Sequence, residues 1–366
     1  MNIKYFDLNR FNLNYLELFQ NSLIEFVSKD YMVLGEPMTS FERKYSIFND
    51  VDYCSGVSNG LSALILCLKS LDIGPGDEVI VSSNTYIATW LSITHVGAKI
   101  IPVEPFEDSL NLNFELIENH ISKKTKAVMV VNLYGQSAEL DKISEICLKN
   151  DLFLIEDNAQ SQGASCAGKK TGSWGIINAT SFYPGKNIGA LGEAGAITTN
   201  DIDLDIRVKR LRNYGLSEKY VNDEIGFNYR MDNIQAKFLE LKITNYQSIV
   251  NRKREIAKIY KNNLTGISFQ RLPDNCTSVY HIFPILTSQR NELQKHLYNF
   301  GIETMIHYPI PPHKQKAYAS LCFQKDSFPI ANHIADSELS LPIDPFMTNE
   351  EVYYIIEKIN KFYYGL

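Results

Sequence analysis

The sequence lacks a large net charge, closely spaced cysteine pairs and long apolar runs. A formal net charge of −6 over 366 residues gives no basic surface of the kind that binds nucleic acid or anionic membranes. The six cysteines are scattered, without a Cys-x-x-Cys pair or histidines at metal-ligand spacing, which favours free thiols and argues against a bound metal. No run of about 18 apolar residues occurs, and residues 1–15 contain no signal-peptide core. We therefore expect a soluble cytoplasmic protein without nucleic-acid or membrane partners.

Between residues 60 and 200, short apolar runs alternate with helical patterns. The runs that indicate buried strands are EVIVSS (78–83), KIIPVE (99–104), KAVMVVNLYG (126–135) and LFLIEDNAQ (152–160). Strands that are almost continuously apolar and separated by helices are typical of a parallel sheet with both faces covered. The sequence therefore predicts an α/β fold.

The pattern changes after residue 200. Residues 230–264 form one long helical pattern, mixed strand and helix signals follow, and the chain closes with an amphipathic helix at 349–364. This pattern is typical of a smaller α+β domain, which we expect a helix over 14–29 to join. The predicted division is 1–30 as an N-terminal segment packed with the small domain, 31–240 as the large domain and 241–366 as the small C-terminal domain.

A single lysine, Lys186, lies in the glycine-rich stretch SFYPGKNIGALGEAGAI (181–197). Clustered glycines indicate tight turns or a close backbone approach. The stretch follows a predicted strand, and ligands of open α/β sheets bind beyond the carboxyl ends of the strands. A partly desolvated lysine there is nucleophilic and can form a Schiff base with an aldehyde, whereas an ordinary lysine is solvated.

Two other features accompany this lysine. In GVSNGLSAL (56–64), the amides of Gly60 and Leu61 open a helix and form either an anion site or an ordinary helix start. Asp157 follows an apolar strand and either caps the next turn or pairs with a protonated ring nitrogen. An anion site, a carboxylate and a Schiff-base lysine are together what pyridoxal 5′-phosphate (PLP) requires.

The chain resembles the sugar aminotransferases of the DegT/DnrJ/EryC1 group, within the fold-type-I PLP-dependent transferases, nearly from end to end. The motifs that carry the resemblance are VLGEPMTSFERKY, GVSNGLSAL, LDIGPGDEVIVSSNTYIATW, IEDNAQSQGA, SFYPGKNIGALGEAGAI, GFNYRMDNIQA, IHYPIPPHKQKAY and LSLPI. The resemblance implies a large domain with a mostly parallel seven-stranded sheet flanked by helices, and a smaller α+β C-terminal domain. It also implies a homodimer whose active sites are shared across the interface.

The resemblance also implies the roles of the site residues. Lys186 would form the Schiff base and move protons between cofactor and substrate, and Asp157 would pair with the pyridine nitrogen. It also implies that Gln160 lies near the phenolic oxygen and Tyr86 on the ring face. Around the phosphate it implies Ser181, Gly60 and Leu61 of the same chain, and Asn228 of the partner subunit. Asn132 and Gln162 depart from residues common in the group, which leaves the supporting hydrogen bonds open.

The implied reaction moves the amino group of L-glutamate to the keto carbon of a nucleotide-linked deoxysugar. Some members of the group have a histidine at the position of this lysine, and those proteins catalyse PLP-dependent deoxygenation. The lysine of this chain therefore favours transamination. NGLSAL, SNTYIATW and IHYPIPPH look most like members that aminate carbon 3 of a dTDP-linked 3-keto-6-deoxyhexose, for amino-sugar biosynthesis. The alternatives are carbon 4 of a nucleotide-linked 4-keto-6-deoxyhexose, a cyclitol ketone, and a non-catalytic PLP-fold sensor or scaffold.

Four residues are candidates for contact with the sugar nucleotide. Tyr183 neighbours the lysine, and His307 lies in a proline-rich loop, where an ordinary hydrogen-bonded histidine is the alternative. Lys219 and Tyr220 are candidates for the diphosphate, because the chain offers no general positive field, although a solvated loop explains Lys219 equally simply.

Overall fold

The computed structural model describes residues 1–28, 32–324 and 326–364. The helices are α1 (Leu8–Leu13), α2 (Leu16–Val27), α3 (Glu36–Asn49), α4 (Gly60–Ser70), α5 (Ile87–His95), α6 (Leu140–Lys149), α7 (Ile202–Leu211), α8 (Asn233–Thr244), α9 (Tyr246–Asn263), α10 (Arg290–Asn299), α11 (Pro329–Ser337) and α12 (Asn349–Tyr364). The strands are β1 (Tyr53–Val57), β2 (Glu78–Ser82), β3 (Lys99–Val103), β4 (Thr125–Val131), β5 (Phe153–Asp157), β6 (Ser165–Cys166), β7 (Lys169–Lys170), β8 (Ile177–Ser181), β9 (Gly195–Thr199), β10 (Leu216–Glu218), β11 (Val221–Asn222), β12 (Ser268–Phe269), β13 (Phe283–Leu286) and β14 (Glu338–Leu341).

The large sheet has seven strands in the order β1-β9-β8-β5-β4-β2-β3. Every neighbouring pair is parallel except the two pairs that involve β9. The predicted strands at 78–83, 99–104, 126–135 and 152–160 correspond to β2, β3, β4 and β5. The predicted α/β fold with a mostly parallel seven-stranded sheet is therefore confirmed.

Alternating side chains of the central strands enter two separate cores. Val79, Val81 and Met129 pack on one face with α4 and α5, while Ile80 and Val128 pack on the other with α6. Successive strand residues point to opposite faces. A strand covered on both faces must therefore be apolar throughout, which explains why these runs were recognisable in the sequence.

The C-terminal part has a core of its own. Its antiparallel sheet, in the order β12-β13-β14, is covered by α9, α10 and α12. The N-terminal segment contacts both parts of the chain: Ile3 pairs with Ile302, and Phe19 packs against Phe238 of α8. The predicted boundary between 30 and 31 lies outside the described residues, and the division into domains stays a prediction.

One predicted helix is wrong in its extent. The pattern over 230–264 is two helices, α8 and α9, because the chain leaves helical geometry at Asn245 (φ −99°, ψ 6°). The break lets the Tyr246 hydroxyl reach the Gln162 carbonyl, with its ring 5.3 Å from that of Phe48. The helix expected over 14–29 corresponds to α2, and its predicted last residue lies outside the described chain; the short helix α1, which was not predicted, precedes it.

Within the described ranges, no helix is both long and apolar enough to cross a membrane.

Candidate active site

A cavity of about 960 Å³ opens at the carboxyl edge of the large sheet. The segments that follow β1, β2, β5 and β8 converge there, and residues of the C-terminal part close the other side. Lys186 and Asp157, the two predicted catalytic residues, both line the cavity. The other predicted residues that line it are Gly60, Leu61, Tyr86, Gln160, Ser181, Tyr183 and His307.

One end of the cavity is the N-terminus of α4. Asn59 caps this helix: its Oδ1 accepts from the Ser62 amide at 2.9 Å, and its own amide donates to Ser62 Oγ at 3.0 Å. The amides of Gly60 and Leu61 donate to no described residue, so they stay available at the positive end of the helix dipole. The wall beside them is Ser181, and this end of the cavity suits an anion.

Gly60 permits the close approach of α4 to β8. A Cβ built on Gly60 would lie 2.7 Å from the Ser181 Cβ. We expect Gly60→Ala to destabilise the fold by about 1–3 kcal/mol through overpacking. Thermal unfolding of the protein without cofactor measures this effect. Gly74→Ala is the matched control, since its Cβ would meet its nearest neighbour at an ordinary 3.5 Å. An equal effect of both substitutions would contradict the packing argument.

Asp157 is a buried carboxylate at the end of β5. Its Oδ2 accepts from the Thr89 hydroxyl at 2.9 Å, and its Oδ1 accepts from the Ala159 amide at 3.2 Å. Burial raises the pKa of Asp157, while these two donors and the charge of Lys186 act in the opposite direction. Thr89, which sits in α5, was missed by the sequence analysis because nothing in the local pattern pairs it with a residue 68 positions away.

The Lys186 amine is partly buried and forms no hydrogen bond or ion pair with the rest of the described chain. Burial lowers the pKa of Lys186 to about 8, against the opposing charge of Asp157. A fraction of the amine is therefore neutral near pH 8, as a nucleophile requires.

The loop that carries Lys186 is anchored on both sides. Gln162 donates from Nε2 to the Ser181 carbonyl at 2.7 Å and accepts from the Ile188 amide at 3.3 Å. Lys253 donates to Asn187 Oδ1 at 2.7 Å. A Cβ on Gly189 would collide with the Pro184 carbonyl, so that glycine permits a close backbone approach. The supporting role that the sequence left open for Gln162 is thus to hold the lysine loop.

Gln160 is fixed by two contacts on the cavity wall. Its Oε1 accepts from the Tyr134 amide at 2.6 Å, and its Nε2 donates to the Tyr308 hydroxyl at 3.1 Å. The Tyr308 ring in turn lies 5.1 Å from that of Tyr86. Asn132, the other open position, supports the neighbouring turn by donating to Glu156 at 2.9 Å.

Three predicted residues do not line the cavity of their own chain. Lys219 and Tyr220 lie in and beside the exposed β10–β11 hairpin, and Asn228 is exposed beside it. Tyr220 is 86% exposed, and its neighbour Ile225 is 96% exposed. The hairpin is therefore exposed, and these three residues lie outside the cavity lining of their own chain.

Several cavity residues were not singled out from the sequence. They include Tyr5, His281 and Tyr308, of which Tyr308 stood within the quoted IHYPIPPH motif. Tyr5 comes from the N-terminal segment, and no sequence signal pointed to it. Across the part of the chain that the structure describes, no group of three or more His, Cys, Asp or Glu side chains is placed to hold a metal ion.

Comparison with known proteins identifies the family. The model of the DegT/DnrJ/EryC1/StrS aminotransferase family matches residues 16–360. The chain belongs to this family. Among curated relatives, the dTDP-3-amino-3,6-dideoxy-alpha-D-galactopyranose transaminase of Aneurinibacillus thermoaerophilus is 43% identical over 99% of this chain and 100% of its own.

Two solved structures are also similar to this chain. DesV of S. venezuelae in complex with a ketimine intermediate superposes with a TM-score of 0.98 at 35% identity, covering 100% of this chain and 99% of its own. NtdA of Bacillus subtilis with bound cofactor PMP gives a TM-score of 0.87 at 27% identity, covering 94% and 82%. The predicted family, the fold-type-I architecture and the enzyme class are thereby confirmed.

Proposed function

We propose that this aminotransferase uses PLP to move the amino group of L-glutamate to carbon 3 of a dTDP-linked 3-keto-6-deoxyhexose. The observation that carries the proposal is one cavity that holds an unpaired, partly buried lysine, a buried carboxylate and the free N-terminus of α4. These are the three groups that the sequence analysis connected with PLP.

The residues present fit this cofactor. The amides of Gly60 and Leu61 and the Ser181 hydroxyl would hold the phosphate, and Asp157 would pair with the protonated pyridine nitrogen. The Lys186 amine would be the group that bonds to the aldehyde and that carries protons at this position. When bound, PLP supplies an electron sink for breaking the bond to hydrogen at the amine-bearing carbon. Burial raises the pKa of Asp157, which makes its carboxylate a stronger hydrogen-bond acceptor for a protonated ring nitrogen.

The substrate side of the proposal rests on relatives and on the cavity wall. The curated relative of A. thermoaerophilus is named for a 3-amino dTDP-sugar and matches this chain along nearly its whole length. Tyr183 and His307 line the cavity beyond the lysine and are proposed to contact the sugar. Both have polar groups that can donate to or accept from sugar hydroxyls.

The active form is proposed to be a homodimer with shared sites. Lys219, Tyr220 and Asn228 lie outside the cavity of their own chain, on or beside an exposed hairpin. In a dimer, this hairpin would reach the cavity of the second copy, where Asn228 completes the phosphate site and Lys219 and Tyr220 meet the diphosphate. The free cysteines are in keeping with a cytoplasmic setting, which is also a proposal.

Asn228→Ala tests the shared site. We expect about a tenfold or larger loss in PLP affinity, because a hydrogen bond to a charged group contributes about 1.5–3 kcal/mol. Equilibrium dialysis against PLP measures it, with sedimentation to verify that the dimer is intact. Asn222→Ala, in the same hairpin, is the matched control and should bind PLP normally. Unchanged affinity of an intact Asn228→Ala dimer would count against the assignment.

The substrate is tested by amination of defined ketones. The PLP-loaded protein is incubated with L-glutamate and either a dTDP-3-keto- or a dTDP-4-keto-6-deoxyhexose, and NMR of the product locates the new amine. Amination at carbon 3 is expected. Amination only at carbon 4 or only of a cyclitol ketone would replace the proposed substrate. No amination of any ketone by a PLP-loaded protein would favour the sensor or scaffold alternative.

A further inference from the structure

The cavity residue His307 is held by bonds to its backbone and its ring. Its amide donates to Glu338 Oε2 at 2.6 Å, and its carbonyl accepts from the Tyr134 hydroxyl. The ring Nδ1 lies 2.8 Å from Ser340 Oγ. The other ring nitrogen, Nε2, has no hydrogen-bond partner among the described residues. The ring is therefore fixed through Nδ1, and Nε2 is left for a group in the cavity.

Glu338 and Ser340 lie two residues apart on β14 and so share one face of the strand. The intervening Leu339 and the following Leu341 enter the core of the C-terminal part. Glu338 and Ser340 are also fully buried, and the Ser340 hydroxyl lies within hydrogen-bond distance of Glu338 Oε1. A buried carboxylate without a charged partner is costly unless its oxygens are bonded. Its bonds here lead in a chain to His307.

The chain Glu338–Ser340–His307 allows two arrangements of protons, because a serine hydroxyl has one proton to donate. With Glu338 ionised, Ser340 donates to Oε1 and accepts from Nδ1–H, so Nε2 is a bare acceptor. With Glu338 protonated, the carboxyl donates to Ser340, which then donates to Nδ1, so Nε2 carries the proton. The two arrangements present opposite hydrogen-bonding characters to the cavity.

We infer that Glu338, acting through Ser340, determines which ring nitrogen of His307 carries the proton, and hence whether Nε2 donates or accepts at the cavity. Glu338 is a positioning residue in this role. The inference rests on the proposed function in one respect only, the identity of the group that Nε2 contacts. Under the proposed function, that group is an oxygen of the sugar.

Burial and the charges around the hydrogen-bonded chain Glu338–Ser340–His307 favour a switch between its two proton arrangements near neutral pH. Burial raises the pKa of Glu338 to about 8, although its bonds to Ser340 and to the His307 amide oppose the rise. Burial, followed by the charge of Lys186, lowers the pKa of His307 to about 4, so the ring itself stays neutral. The other titratable groups that face the chain are Tyr5, Tyr134, Tyr308, His281 and Arg290. Nε2 should donate below about pH 8 and accept above it.

Nitrogen NMR of protein labelled at histidine tests the inference directly, with PLP bound and without it. The His307 signals are identified by their loss in His307→Asn. In the natural protein, the protonated and bare ring nitrogens of His307 should exchange places as the pH rises from about 6 to about 9. In Glu338→Gln, the amide can still accept from the His307 backbone and donate to Ser340, so the proton should stay on Nε2 throughout.

Two serine variants and an internal control sharpen the test. Ser340→Ala should abolish the pH-dependent exchange, and Ser340→Thr, which keeps the hydroxyl, should restore it. His313, whose Nε2 lies 3.0 Å from Asn332 Oδ1, should keep one pattern in every variant. A His307 pattern that is unchanged in both Glu338→Gln and Ser340→Ala would overturn the inference.

Kinetics separate this inference from the proposed function. Glu338→Gln should remove the pH dependence near 8 from kcat/KM for the keto sugar. If the protonation pattern of His307 changes in Glu338→Gln but the protein aminates no sugar, the inference is supported and the proposed substrate is wrong. If the protein aminates the sugar but the protonation pattern of His307 is the same in Glu338→Gln, the proposed function is supported and the inference is wrong.

Discussion

Replacing Lys186 with alanine is expected to abolish amino transfer and leave the fold intact. Lys186 is the one lysine among the described residues that line the cavity, so no neighbouring amine can take its place. Loss of a group that both attacks the aldehyde and moves protons should reduce turnover by at least about 10²–10⁴-fold. Because the amine has no protein partner, its removal breaks no hydrogen bond or ion pair of the described chain.

Turnover and attachment of the cofactor are measured together for this variant. Borohydride reduction followed by peptide mass analysis should find PLP on the peptide that contains Lys186 in the natural protein and on no peptide in Lys186→Ala. Lys186→Arg is the matched control, since it keeps the positive charge but cannot form the same bond, and it should be equally inactive. If either variant retained turnover, the catalytic role assigned to Lys186 would be wrong.

Replacing Asp157 with asparagine has the second largest expected effect. The amide keeps the shape of the side chain but removes the charge that holds a proton on the ring nitrogen. A hydrogen bond to a charged group contributes about 1.5–3 kcal/mol, so we expect roughly a 10- to 150-fold loss of kcat, with part of the PLP retained. Thermal unfolding should change much less, since the remaining amide oxygen can accept from the Ala159 amide and the new NH2 group can donate to the Thr89 hydroxyl.

Thr89→Val separates the charge of Asp157 from its orientation. This variant removes the hydroxyl that donates to Oδ2 at 2.9 Å but keeps the carboxylate, so its loss of kcat should be smaller than that of Asp157→Asn. The comparison uses single-turnover rates with L-glutamate. Equal losses would show that orientation, and not charge, accounts for the effect.

The sequence predicted those parts of the fold that follow from burial alone. Strands β2 to β5 are apolar at nearly every position because both faces of the sheet are covered, so their existence and their places in the sequence could be predicted. Parallel strands end at one edge, and for this reason Asp157 and Lys186, 29 positions apart in sequence, could be expected at one cavity.

The rest depended on contacts between distant segments. The helix break at Asn245 brings Tyr246 against Phe48 and Gln162, which are both far away in the sequence. Thr89 and Tyr5 reach the site from a helix and from the N-terminal segment, and their partners are far away in the sequence. Lys219 and Asn228 lie outside the cavity of their own chain, and the shared site that the family resemblance implies for Asn228 stays a prediction.

The most direct test of the account is the visible absorbance of the PLP-loaded protein during titration with L-glutamate. The account predicts a yellow protein whose absorbance is lost as glutamate is added, with one 2-oxoglutarate formed per site, and a Lys186→Ala variant that releases none. A protein that binds no PLP, or that stays yellow and forms no 2-oxoglutarate, would contradict it.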